Sequence, residues 1–157
     1  MIELSDIRFA YPASTFKLEL DKLEIPSGEH TALVGPSGCG KTTLLNLLAG
    51  VLTPDSGSVR VDGQDVTQLD DAARRDFRLR RLGMVFQSFE LLDYLCVNDN
   101  ILLPLRIGAG VDISRELRQR ASRLADELGI GDKLGRFPGE LSQGERQRTA
   151  VCRALLL

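Results

Sequence analysis

The eight residues GPSGCGKT at positions 35–42 restrict this chain more than any other stretch. They match the pattern G-x-x-x-x-G-K-[ST]. With glycine at about 7% of residues and the other types at ordinary frequencies, chance yields such a match in roughly one of a couple of hundred chains this long. The flanks are those the pattern requires. The apolar run TALVG (31–35) precedes it and reads as a strand buried on both faces. KTTLLNLLAG follows, with Leu44, Leu45, Leu47 and Leu48 at helical spacing and Gly50 suited to a helix C-terminus.

Each position of the motif has a chemical reason. Gly35, Gly38 and Gly40 let the backbone close into a concave nest of N–H groups. Pro36, Ser37 and Cys39 occupy the positions between them. The helix that follows directs its positive end at an anion held there. Lys41 is expected to reach the β- and γ-phosphates of a nucleotide, Thr42 to ligate Mg²⁺, and Thr43 to meet the α-phosphate. A plain glycine turn capping a structural helix would not need lysine followed by threonine. Cys39 lies inside this loop near a helix N-terminus; a redox switch is one reading, and a small residue filling a variable position is the simpler one.

Around this motif the first half alternates strands and turns. Residues 2–10 and 16–25 read as strands; in FKLELDKLEI, Phe16, Leu18 and Leu20 alternate with Lys17 and Glu19. TPDSG (53–57) is a turn, SVRVDG a strand, DDAARRDFRLRR a polar helix and LGMVF (82–86) another short strand. From Ser88 to about Phe137 the pattern turns helical. Ile113, Leu117, Ala121, Leu124 and Leu128 mark one face of an amphipathic helix. A last helix is expected from about Ser142.

Bulk properties exclude several classes. At 157 residues one domain is expected. A net charge of −2 gives no general attraction to nucleic acid. The arginines at 74, 75, 78, 80 and 81 read as a solvated helix face. The three cysteines have no metal or disulfide spacing, which fits a reducing compartment. No signal peptide is visible, and no apolar run approaches the ~18 residues that span a bilayer.

Three motifs in order carry a resemblance. GPSGCGKTTLLNLLAG, then MVFQ ending in Gln87, then LSQGERQR resemble the phosphate loop, Q-loop and signature motif of ATP-binding cassette (ABC) ATPases. FAY at 9–11 resembles the loop whose aromatic, here Tyr11, stacks on adenine. The resemblance runs the length of the chain. The spacer LGMVFQSFELLDYLCVNDNILLPL is similar to the group serving lipoprotein release and macrolide export. It implies an α/β fold: a P-loop NTPase core with an antiparallel β subdomain and a helical subdomain. Residues 1–87 would form the core and β subdomain, 88–141 the helical subdomain and 142–157 the signature helix. It implies ATP and Mg²⁺ as cofactors, with Gln87 contacting the metal and the attacking water. It implies a transmembrane permease partner docked on residues 88–105, through Phe89, Leu91, Leu92, Tyr94 and Leu95. It also implies a cytoplasmic protein peripheral on the inner face of the membrane.

Ser142-Gln143-Gly144-Glu145 is first of all a capping box, S-x-x-E before a helical run. That alone does not explain Gly144, which admits another group close to the backbone. In the resembled family this helix start faces the γ-phosphate of ATP held by a second copy, head to tail. Ser142 and Gly144 would touch it. Gln143 stands where glycine is usual. Glu145 stands where glutamine or glutamate occurs.

The family's next elements, a strand ending in an acidic pair and a loop with a histidine, have no match here. His30, the one histidine, precedes the phosphate loop and reads as an exposed strand-edge residue. The expectation is a cassette truncated before its catalytic strand, binding ATP without turning it over. A non-hydrolysing regulatory protein or a decayed gene product is the alternative. A DNA-repair or translation relative is disfavoured by the short insert, which lacks long heptads and zinc-type cysteines.

Overall fold

The computed structural model describes residues 1–107 and 113–156. They divide into two compact units, 1–75 and 76–157.

The first unit is built on one antiparallel sheet of four strands in the order β2-β1-β3-β4. These are β1 (Ile2–Ala10), β2 (Lys17–Ile25), β3 (Ser56–Val61) and β4 (Gln64–Asp65). Leu4, Ile7 and Phe9 of β1 are buried. Leu4 and Ile7 are three apart, an odd spacing that simple alternation forbids. The backbone resolves it with a bulge: the β1–β3 register shifts between Ser5 and Arg8, and Asp6 takes a positive φ of 52°. Gly57 is what permits the bulge, since a Cβ there would lie 2.5 Å from the carbonyl oxygens of Ser5 and Asp6. Between β3 and β4, Asp62 (φ 48°) and Gly63 (φ 80°) make the two-residue turn that suits strand twist.

Helix α1 (Lys41–Leu48) buries Thr43, Leu44 and Leu47. It ends where Gly50 enters the left-handed region at φ 61°, as its sequence position implies. Helix α2 (Asp71–Arg81) is polar and buries one residue, Phe77. It begins with Asp71 and ends with Arg78, Arg80 and Arg81, which complements its dipole.

Residues 31–35 and 82–86 depart from expectation: neither is a strand. Val34 is 89% exposed, and Leu33, Val85 and Phe86 are exposed as well. An apolar strand is stable only when neighbours on both edges take up its backbone groups. Among the described residues no strand pairs with either segment. His30 is exposed as expected, but beyond the end of β2 rather than on a strand.

The second unit is helical. It holds α3 (Val97–Ile107), α4 (Arg115–Glu127) and α5 (Gln143–Leu155), with 3-10 turns at Gly131–Lys133 and Pro138–Glu140. Its core gathers Val97, Ile101, Leu102, Ala121, Ala125, Ile130, Leu141, Cys152 and Leu156. The expected stripe on α4 is present: Ala121 is buried, and Ile113, Leu124 and Leu128 pack against the core. Residues 108–112 lie outside the described residues, and so does Leu157.

Cys152 is fully buried, and burial pushes its thiol up to about 11 from an ordinary 9.0. A raised thiol pKa means the folded protein holds this proton more tightly than the unfolded chain does. The associated stability is therefore complete below pH 9, and is lost as pH rises through about 11. Cys39 is exposed. In thiol labelling at pH 7.5, Cys39 is expected to react at once and Cys152 only on unfolding; prompt labelling of Cys152 in the native protein would contradict this packing.

Candidate functional site

The first unit brings residues 35–43 and Tyr11 together. Gly38 and Gly40 have φ of 81° and 99°, so both occupy the left-handed region that side chains avoid. At Gly40 space is short as well: a Cβ would lie 2.8 Å from Phe16 Cζ and 3.3 Å from a Leu18 methyl. At Gly35 a Cβ would meet Cys39 Sγ at 2.8 Å. The loop therefore folds tightly because its glycines leave room, with the Cys39 amide donating to Pro36 O at 3.4 Å.

The loop and helix fit a polyanion. Gly40 is the N-cap of α1 and offers no side-chain bond to the first turn, which also lacks any acidic residue. The first-turn amides have no intrahelical acceptor. Lys41 brings a cation to the same place: its Nζ donates to Gly35 O and Pro36 O, at 2.8 Å each, and lies 3.7 Å from Cys39 Sγ. Residues 35–39 and Thr42 are exposed, so a nucleotide has open access. Thr43 is buried, with its hydroxyl against Tyr11.

Tyr11 is joined to this loop through Thr43. Its Oη lies 3.2 Å from Thr43 Oγ1, in hydrogen-bond contact. Its ring packs edge-on against Phe9, centroids 4.9 Å apart, and tilts against Phe16 at 5.9 Å. Phe16 in turn abuts Gly40. A chain of contacts thus runs from the aromatic cluster to the turn of the phosphate loop. Tyr11 is expected at the nucleotide by resemblance and Thr43 from the loop motif; the bond between them is visible only in the structure.

Gln87 and Ser142–Glu145 belong to the second unit. Gln87 is exposed, in a turn closed by Phe89 N donating to Phe86 O at 3.0 Å. The capping box at Ser142 is complete. Glu145 N donates to Ser142 Oγ at 3.3 Å, while Ser142 N and Ser142 Oγ each donate to Glu145 Oε2 at 2.7 Å. These two bonds hold the Glu145 carboxyl below its ordinary range, with help from Lys133 and Arg148. A lowered carboxyl pKa stabilises the folded state above the ordinary value, and that contribution fades as pH falls through the lowered one. Gln143 is exposed at the helix start. At Gly144 a Cβ would come within 3.3 Å of Arg148 Nη1, the movable end of a long side chain.

Two residues that the sequence reading passed over organise this unit. Asn100 is fully buried on α3. Its Oδ1 accepts from Leu92 N at 2.8 Å, and its Nδ2 donates to the carbonyls of Leu92, Leu95 and Cys96. Arg153 is 8% exposed on α5. Both carried a readable signal, a polar residue at helical spacing among buried neighbours: Asn100 with Val97 and Ile101, Arg153 with Thr149 and Leu156.

Known proteins resemble this chain throughout its length. A family model described as ABC transporter matches residues 18–157. The lipoprotein-releasing system ATP-binding protein LolD of Pseudomonas syringae pv. tomato is 45% identical over 145 residues, covering 92% of this chain and 63% of its own length. The macrolide export ATP-binding/permease protein MacB of Syntrophobacter fumaroxidans is 39% identical over 159 residues, covering 99% of this chain and 22% of its own. Among solved structures, the ATP-binding cassette MJ0796, in a dimeric post-hydrolysis state bound to ADP and Pi, aligns with a TM-score of 0.87. It shares 32% identity over 99% of this chain and 69% of that one. The chain spans about half the length, 48%, of several other curated ABC relatives it matches.

Proposed function

The chain belongs to the ABC transporter family as an ATP-binding part of the LolD and MacB type, and on that premise we propose that it binds Mg-ATP at residues 35–43 and serves a membrane permease. The observation that carries this is Lys41, whose ammonium is held over the glycine loop at the uncapped start of α1. Lys41 and the first-turn amides hold the phosphates. The Thr42 hydroxyl and Gln87 serve the metal, and Tyr11 offers its ring to the base. Bound Mg²⁺ neutralises charge on the β- and γ-phosphates.

Ser142, Gln143, Gly144 and Glu145 form the second half of a composite site. In a head-to-tail homodimer they approach the nucleotide held by the partner copy, at the positive end of α5. The dimeric state of the solved relative supports this arrangement. Residues 1–87 supply the nucleotide loop, 88–141 the helical part that meets the permease, and 142–157 the signature helix. A cleft of about 270 Å³ within the second unit favours a docked apolar segment. Its walls include Leu79, Leu82, Met84, Phe86, Leu103 and Ile107. Among the described residues no helix is long and apolar enough to cross a membrane. A place on the inner face, held by the permease, follows from the proposal.

No match to the family's strand ending in an acidic pair lies within these 157 residues, and we propose that a polypeptide of these residues alone binds ATP without turning it over. Calorimetric titration with Mg-ATP is expected to give one nucleotide per chain, recovered intact. Phosphate release above that of a Lys41→Ala control would overturn the second statement; no binding by the parent chain would overturn the first.

A further inference from the structure

The segment around Gln87 is attached to helix α5 on both sides. Before it, the position of a Cβ on Gly83 would fall 2.2 Å from Ala154 O, so only glycine permits that approach. After it, Arg153 donates through Nη2 to Phe89 O at 2.5 Å and through Nη1 to Glu90 O at 2.6 Å. Phe89 and Glu90 are consecutive non-glycine residues in the left-handed region, φ 63° and 47°. Side-chain-bearing residues hold that conformation only when their surroundings over-determine it. A planar, buried guanidinium with two donors meets that need at both carbonyls.

The other end of the same helix is Ser142. Eleven residues separate Ser142 from Arg153, about 16 Å at 1.5 Å per residue. The helix is a continuous rod between them. Its last carbonyls are also held, since Arg120 donates to Leu155 O at 3.2 Å. Glu90 and Arg153 both line the apolar cleft. Burial pulls the Arg153 guanidinium below its usual range while the Glu90 charge opposes this, in keeping with a desolvated fork.

We infer that Arg153 is a positioning residue: it latches the turn that presents Gln87 to helix α5, so a shift of that helix is transmitted to Gln87. The functional part rests on the proposed role of Gln87 at the metal; the latch does not. Lysine at 153 keeps the charge but cannot bridge two carbonyls with a planar fork.

Hydrogen–deuterium exchange of the 157-residue chain tests the latch. Arg153→Lys is expected to speed exchange of the Phe89 amide, which is bonded to Phe86 O, by about tenfold or more, with Ile101 and Ala121 unchanged. Adding Glu90→Gly is expected to restore most of that protection, because glycine takes the left-handed conformation unaided. Unchanged exchange at Phe89, equal acceleration in α3 and α4, or no rescue by glycine would each overturn the latch. If Arg153→Lys does not fold, the double variant decides: its folding supports the latch and its failure overturns it. The functional part is read from the ratio of ATP affinities with and without Mg²⁺. That ratio is expected to fall by about tenfold in Arg153→Lys as in Gln87→Ala, with metal-free affinity unchanged. A fall in Gln87→Ala alone would overturn the transmission to Gln87. An unaltered ratio in Gln87→Ala would overturn the metal role of Gln87, with the latch judged by exchange.

Discussion

Lys41→Ala is expected to abolish the thermal stabilisation of this chain by Mg-ATP. The lysine ammonium already lies among the carbonyls of Gly35 and Pro36, at 2.8 Å from each. Its charge is therefore in place before any phosphate arrives. A charge-assisted contact to phosphate removed by truncation costs about 2–5 kcal/mol, or roughly 30- to several-thousand-fold in affinity. At a concentration one hundred times the dissociation constant, ligand binding stabilises the parent by about 2.7 kcal/mol. For a chain of this size that is a rise of roughly 5–10 °C. After a hundredfold loss of affinity, the same concentration leaves about 0.4 kcal/mol, a shift near one degree. The fold itself should be untouched, since Lys41 bonds only within the loop. A full shift in Lys41→Ala, measured by differential scanning fluorimetry, would remove the site from these residues.

Asn100→Ala is expected to destabilise the helical unit more than any surface change. The side chain satisfies four backbone groups at once, at Leu92, Leu95 and Cys96. Two of the carbonyls have a second donor, since Leu95 N bonds Leu92 O and Asn100 N bonds Cys96 O. Removing the amide thus orphans chiefly Leu92 N and Leu95 O. Each orphan costs about 1–3 kcal/mol when fully buried; Leu92 and Leu95 are half-buried, so a loss of about 2–3 kcal/mol is expected, against a total of about 5–15 for a typical domain. Urea unfolding should show the midpoint falling by roughly a fifth or more. A loss below about 1 kcal/mol would mean that the 92–96 loop holds its shape without Asn100.

Much of the fold is legible where local chemistry decides. The expected turn at 53–57 yields Ser56 and Gly57 to β3, whereas β1, β2, α2, α4 and the box that starts α5 lie where propensity, period and capping residues put them. The same holds for the glycine loop, since a positive φ at Gly38 and Gly40 is a local demand. The segments 31–35 and 82–86 are not legible in this way, since neither is a strand. Their apolar composition says they suit a buried strand, but a strand exists only as a pair, and the partner is not a property of the segment. The bulge at Asp6 was hidden for a related reason. Only the closeness of Gly57 to the β1 carbonyls shows why Leu4 and Ile7 can face the same way.

By itself, then, the amino-acid order determined which residues could cradle a phosphate, where the helices begin, and which family the chain resembles. Those are matters of backbone freedom, side-chain chemistry and spacing within one turn or one strand. The tertiary structure alone decided that Tyr11 bonds Thr43, that Asn100 ties a loop to α3, and that Arg153 reaches the carbonyls beside Gln87. Each joins groups distant in the chain, or pays for a buried polar atom with a partner that only packing can bring within 3 Å or so.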